Sequence, residues 1–183
     1  PYKKTMFNLE TRVSEKCIGC YPKLEQGLQT QCTTACIGRL RLTNYLTGPD
    51  EIDPRKPADF LVHVKKIALP LYPQLGLEPN VYYIPPVHVP VPHLEQMFGP
   101  GVQHAIDLYR SAKDDPELLG LLMLFGSTEW ISTFDVKKGV ARGYDETGTE
   151  IVAVPLREPT FVRPFEFATE AAGEQLTGYR HNT

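Results

Sequence analysis

The chain has 183 residues, 42% of them hydrophobic and 22% charged, with a formal net charge of -3. That length holds one core and not a two-domain enzyme with a separate cofactor fold, and the composition excludes a disordered chain, a collagen-like fibre and a polybasic nucleic-acid binder. Two departures remain: there are 17 prolines, and all four cysteines fall between Cys17 and Cys36, a clustering that points to metal chemistry rather than to a disulfide framework.

The sequence begins at Pro1 with neither an initiating methionine nor a signal segment, and is read as part of something longer. Residues 5 to 13 alternate apolar with polar at several positions and predict a short strand. Gly19 and Tyr21-Pro22 are turn residues and place Cys17 and Cys20 on a loop. Cys32 and Cys36 are spaced i, i+4 and predict one face of a short helix running toward Leu40. Beyond Gly48-Pro49, residues 50 to 57 are a charged, proline-bearing loop. Phe60, Leu61, Val64 and Ile67 then predict a helix from Ala58 to Ile67.

Seven prolines between Leu69 and Pro92, with Pro100 just beyond, predict extended, polyproline-like chain with little core of its own, laid along another surface. Helices are predicted at Val102 to Lys113 and at Pro116 to Phe125. The second has Asp115 at its N-cap, Pro116 at its first position and Gly126 just past its end. Residues 139 to 156 read as a hairpin, Val140 to Tyr144 followed by a turn at Asp145 to Gly148 and then Ile151, Val152 and Val154. The last fifteen residues are polar and are expected to fray. No internal repeat is present. The longest apolar run, Leu118 to Phe125, is interrupted by Gly120 and falls short of the about 20 residues that a membrane-spanning helix needs. Membrane association is therefore expected only through a partner.

The cysteines follow the pattern Cys17-x2-Cys20-x11-Cys32-x3-Cys36. A two-residue gap lets adjacent thiolates reach a common centre and suits zinc or iron-sulfur ligation equally. The three-residue gap before the last cysteine discriminates, because in two-cluster ferredoxins the cysteine in that place serves the other cluster. By that logic Cys17, Cys20 and Cys32 bind one cubane cluster and Cys36 points to a neighbouring one. A closed four-cysteine zinc site and thiols that bind nothing are the alternatives the spacing leaves open. Residues 1 to 41 carry seven Lys and Arg against three Glu, and the remainder twelve against nineteen acids. Local positive charge favours thiolates, although a solvated basic face accounts for the same residues.

These residues also carry a family resemblance. Pro1-Tyr2-Lys3-Lys4, Ser14-Glu15-Lys16-Cys17-Ile18-Gly19-Cys20-Tyr21-Pro22 and Cys32-Thr33-Thr34-Ala35-Cys36-Ile37-Gly38-Arg39 resemble the last cysteine group of the four-cluster iron-sulfur subunit of respiratory nitrate reductase. That group includes the corresponding subunits of ethylbenzene and dimethylsulfide dehydrogenases, of selenate, chlorate and perchlorate reductases, and of nitrite oxidoreductase. Lys66-Ile67-Ala68-Leu69-Pro70-Leu71, Asn80-Val81-Tyr82-Tyr83-Ile84-Pro85-Pro86 and Leu124-Phe125-Gly126-Ser127-Thr128-Glu129 are similar to it as well. The resemblance implies [4Fe-4S] clusters, with Cys17, Cys20 and Cys32 on one, and Cys36 as the single remote ligand of the cluster nearest a molybdenum subunit. Pro1 would follow the final cysteine of a preceding group. The other clusters of the family, one of them [3Fe-4S], would lie outside this sequence.

The expected fold class is α+β: part of a bacterial-ferredoxin-like two-cluster domain over residues 1–48, an irregular proline-rich extension with helices and a β-hairpin over 49–168, and a polar tail over 169–183. The implied work is electron transfer between a molybdenum-cofactor catalytic subunit and a haem b or quinone-linked partner, with no nucleic acid involved. The complex would be membrane-associated, on either face. Outer-sphere electron transfer needs no acid, base or nucleophile, and the sequence holds no G-x-x-x-x-G-K, G-x-G-x-x-G or G-x-S-x-G motif. Its histidines (63, 88, 93, 104, 181) lack H-E-x-x-H spacing, and His88 and His93 are read as ordinary surface or interface residues. Ser127 to Trp130 is read as a structural turn. Amides near Gly19 and Gly38 are expected to approach sulfur, and Lys16 and Arg39 to raise cluster potentials by stabilising the reduced state. The competing class is a zinc-stabilised interaction module with no redox role.

Overall fold

Asn8 sets the first reversal of the chain. Its carboxamide oxygen accepts the N–H groups of Glu10 at 3.0 Å and Thr11 at 3.3 Å, and its Nδ2 donates to Glu15 at 3.0 Å. Asparagine bonding its own backbone two or three residues on makes a turn. Strands β1 (Thr5–Asn8) and β2 (Val13–Lys16) accordingly pair antiparallel, Thr5 opposite Lys16, so residues 5 to 13 form a hairpin arm and turn rather than one strand. A computed structural model describes residues 4–127 and 130–156. Pro1, Thr128, Glu129, His181, the tail 169–183 and the end of the extension lie outside the described residues.

After β2 come two single-turn helices, α1 (Tyr21–Leu24) and α2 (Gln31–Thr34). This first segment has no core of its own. Met6, Phe7, Leu9, Val13, Ile18, Leu28 and Leu40 are all exposed, and Ile37 is 100% exposed. Among its described residues the one buried side chain is polar, Thr30.

The core lies downstream. Helix α3 (Pro57–Asp59) runs into a π-turn over Phe60–Val64, closed by the Lys65 N–H donating to the Phe60 carbonyl at 2.8 Å. The helix expected to reach Ile67 stops there. Lys66 takes φ 54°, and the N–H groups of Ile67 and Ala68 both return to the Leu61 carbonyl, which buries Ile67 by a turn rather than by a helical face.

The proline-rich stretch differs from its expectation in two ways. It forms a two-residue ladder, β3 (Leu69–Pro70) with β4 (Tyr82–Tyr83), and it feeds helix α4 (Val91–Phe98), which sequence reading missed. Pro92 sits in the first turn of α4, where a missing N–H leaves nothing unbonded. As expected the stretch lies along another surface, that of its own domain. Leu94 and Phe98 of α4 pack with Val102 and Ile106 of α5 (Val102–Arg110), and Leu69, Leu71, Val87 and Val89 close over them. The helix expected to run to Lys113 ends at Arg110 and is followed by a 3-10 turn over Ala112–Asp114.

Helix α6 (Pro116–Leu124) begins where its capping residues predict. Asp115 accepts the Leu118 N–H at 3.1 Å and is ion-paired to Lys65. Its buried Leu118, Leu121 and Leu124 pack over an antiparallel meander of β5 (Thr133–Lys137), β6 (Val140–Tyr144) and β7 (Glu150–Pro155). The expected hairpin is β6–β7, with a register shift at Gly143/Tyr144, and β5 is an addition. A Cβ on Gly120 would stand 2.5 Å from Val136 Cγ2 and 3.1 Å from Ala141 Cβ, so glycine there lets the helix backbone lie directly on the sheet. The result is the expected α+β class, with small sheets and no helix among the described residues long and apolar enough to cross a membrane.

Asp59 ties the loop of residues 47–53 to this core. Fully buried, it accepts the Thr47 N–H at 2.9 Å, the Thr47 hydroxyl and the Asp53 N–H at 3.1 Å. Burial pushes its carboxyl up, but those three donors together with the Lys56 charge prevail and hold it below the usual carboxylate range. A carboxylate depressed by folding contributes stability above its unfolded value of about 3.9 and loses it as pH falls through the folded value. Asp59→Asn is therefore expected to destabilise the chain at neutral pH and to flatten the fall in stability below about pH 4. Urea unfolding at a series of pH values checks this; a variant with the parent's acid limb contradicts it.

Candidate metal centre

Each cysteine is placed by a short local device. Cys17 follows β2, and the next turn is made by two consecutive residues in the left-handed region, Gly19 at φ 68° and Cys20 at φ 55°. That turn brings the Gly19 N–H onto the Cys17 sulfur at 3.3 Å. Cys20 is the N-cap of α1, its carbonyl accepting from Lys23 at 2.8 Å. Gly27, at φ 71°, ends the following turn, and the Lys23 ammonium donates to Gln31 at 2.7 Å, joining α1 to α2.

Cys32 lies inside α2, but that helix ends at Thr34, with Ala35 as its C-cap, so Cys36 lies beyond it. The expected shared helical face running to Leu40 is not formed. The Cys36 sulfur instead accepts the Leu40 N–H at 3.4 Å. The Cys32 sulfur is 3.3 Å from the Thr30 hydroxyl, which also meets Thr33 Oγ1 at 2.9 Å and Thr43 Oγ1 at 3.1 Å; Thr33 and Thr43 are 2.6 Å apart. The Thr30 hydroxyl is the main cause of a lowered Cys32 pKa, aided by the Thr33 hydroxyl and the Arg41 charge and opposed by burial.

All four thiols are free, with Cys17 and Cys32 exposed and Cys20 and Cys36 half-buried. Among the described residues no three of His, Cys, Asp and Glu come together at metal-binding distances. The chemistry of the donor set nevertheless fits an iron-sulfur group. All four candidate donors are thiols; the Cys17 and Cys36 sulfurs each accept an N–H and the Cys32 sulfur lies within hydrogen-bond distance of a hydroxyl, contacts of the kind by which proteins stabilise charge on cluster sulfur.

The amide expected near Gly19 is in place, whereas near Gly38 the donor is Leu40. Arg39, the expected neighbour of the cysteines, is joined there by Arg41. Arg39, at φ 48°, donates to the Gly126 carbonyl at the end of α6, while Arg41 donates to the Cys32 carbonyl at 3.2 Å. Cys36, Arg39, Arg41 and Gln29 line a groove of about 200 Å³ with Phe125 and Ser127. His88 and His93 are solvent-exposed and remote in sequence from the cysteines. Sequence reading missed Thr30, Thr33, Thr43 and Arg41; the threonines flanking Cys32 were the available signal.

The class of protein this donor set suits is also the one to which the segment is related: residues 1–45 match the 4Fe-4S dicluster domain. Over more of its length the chain is 40% identical across 123 residues to the selenate reductase subunit beta of Thauera selenatis, covering 58% of this chain and 36% of that protein. It is 36% identical across 128 residues to the dimethylsulfide dehydrogenase subunit beta of Rhodovulum sulfidophilum, covering 62% and 38%. It is 30% identical across 193 residues to the nitrate reductase beta chain of Bacillus subtilis, covering 79% and 39%. Its homologues are thus beta subunits of nitrate, selenate, chlorate and perchlorate reductases and of dimethylsulfide dehydrogenase. The chain spans well under half the length of these relatives.

Proposed function

We propose that the chain is part of an electron-transfer iron-sulfur subunit, in which Cys17, Cys20 and Cys32 ligate one [4Fe-4S] cluster and Cys36 ligates a neighbouring one. The observation that carries this reading is that N–H groups donate to the sulfurs of Cys17 and Cys36 and a hydroxyl meets that of Cys32, all within the segment that matches a 4Fe-4S dicluster domain. When bound, such a cluster supplies one-electron oxidation and reduction. The chain's own contribution is to hold thiolates and set their surroundings. Gly19 and Leu40 give backbone N–H groups, Thr30 gives a hydroxyl, and Arg41 adds positive charge beside Cys32. The end of α2 between Cys32 and Cys36 gives their sulfurs separate surroundings, which supports assigning them to different clusters.

On this reading residues 1–48 are part of a ferredoxin-like domain, and the exposed Phe7, Leu9, Ile18 and Ile37 are apolar side chains open to contact with the rest of that domain or a partner. The extension, residues 49–168, docks partner subunits. Electrons pass between a molybdenum-cofactor catalytic subunit and a haem b or quinone-linked partner, in anaerobic respiration of nitrate-like substrates, and the chain itself is not the catalyst. The complex meets the membrane through its partners.

The complete protein, purified without oxygen, is expected to show a brown absorption that dithionite bleaches and an oxidant restores. Colourless protein that neither bleaches nor recovers would overturn the reading in favour of a zinc-stabilised interaction module.

A further inference from the structure

We propose that Thr30, Thr33 and Thr43 form a hydroxyl relay that aims the Thr30 proton at the Cys32 sulfur and so raises the potential of the cluster Cys32 ligates. The inference rests on the reading of Cys32 as a cluster ligand. Thr30 is the N-cap of α2, a position where a threonine hydroxyl ordinarily accepts a backbone N–H from the first turn. Here its side chain makes no such bond. The hydroxyl, only 7% exposed as a residue, turns instead to Cys32 Sγ at 3.3 Å, Thr33 Oγ1 at 2.9 Å and Thr43 Oγ1 at 3.1 Å.

Counting protons fixes the direction. Each hydroxyl has one proton to give, and a thiolate sulfur can only accept, so the Thr30–Cys32 contact uses the Thr30 proton. The 2.6 Å contact between Thr33 and Thr43 uses one of their two protons. If Thr43 donates to Thr33, then Thr33 is left to donate to Thr30; if Thr33 donates to Thr43, then Thr43 is left to donate to Thr30. In either order the pair keeps one proton within reach of the Thr30 oxygen, while the Thr30 proton goes to sulfur. Hydrogen bonds in series polarise one another, so the relay strengthens the final bond beyond what Thr30 alone would supply. Hydrogen bonding to cluster sulfur stabilises the reduced, more negative state and raises the potential. Thr43 lies 13 residues from Thr30, beyond the last cysteine, so the loop leading into the extension takes part in setting the potential.

The test is an EPR-monitored redox titration of the complete, cluster-bearing subunit, with detection of solvent-exchangeable proton couplings on each reduced cluster. Thr30→Val is expected to shift one cluster to a more negative potential and to remove one exchangeable coupling from that cluster alone. Thr30→Ser is expected to keep both, and Thr43→Val to shift the same cluster in the same direction by less. An unchanged potential and coupling in Thr30→Val overturns the relay. Should Thr30→Val fail to retain its cluster, Thr43→Val, which leaves every ligand and the Thr30 hydroxyl in place, decides in the same way. Parent protein without iron and sulfide overturns the reading of Cys32 as a ligand and the relay with it, an outcome distinct from intact clusters that do not respond.

Discussion

Cys36→Ala in the complete protein is expected to eliminate or alter one cluster's EPR signal while sparing the one that Cys17→Ala, Cys20→Ala and Cys32→Ala each eliminate. The expectation follows from where the chain changes direction. Cys17 precedes a turn made by two left-handed residues, Gly19 and Cys20, the Lys23–Gln31 bond holds α1 to α2, and Cys32 is inside α2. Cys36 lies after the end of α2, takes its sulfur donor from Leu40, and lines the groove with Arg39 and Arg41. Loss of one thiolate from a four-coordinate cluster normally costs the whole cluster or converts it, so the effect is all-or-none for the affected signal. Four variants that all remove one and the same centre would contradict the division and match a closed four-cysteine site.

Leu121→Ala is expected to cost about 2–5 kcal/mol, toward the upper end of that range. Leu121 is 0% exposed at the centre of α6, between Leu118 and Leu124, and faces the core shared with Phe60, Ile67 and Phe134. The size of such a loss depends on how far the surroundings can collapse into the space left. Here they have little room, because Gly120 already brings the backbone of α6 against Val136 and Ala141. A domain is stable by about 5–15 kcal/mol, so the variant is expected to sit near its unfolding threshold. Urea unfolding beside Glu117→Ala, on the exposed side of the same helix, checks this. Equal midpoints for the two variants would contradict it.

What the sequence disclosed was the chemistry written in adjacent residues. Asp115-Pro116 announced α6, Gly19 and Tyr21-Pro22 announced the turn that carries Cys17 and Cys20, and Val140 to Val154 announced β6 and β7. Elements whose signals cut against local preference were lost. The prolines before and within the first turn of α4 read as breakers, though that is the one place a helix accepts them. The β5–β6 reversal is made at Lys138 and Gly139, both at positive φ, and lysine there gives little warning of a two-residue turn. The helix after Pro57 was overextended because spacing shows which residues are apolar, not that the turn over Phe60–Val64 widens and ends. At the site, the thiols were plain from spacing, but the relay was not. Thr43 reaches Thr30 only through tertiary folding, and a cap residue that gives up its cap cannot be told from one that keeps it.

The central claim is that these four thiols serve iron-sulfur clusters, and chemical analysis of the complete protein purified without oxygen tests it most directly. The account predicts iron and acid-labile sulfide in matching amounts, enough for more than one cluster. Zinc bound one per chain, with neither iron nor sulfide, would contradict it.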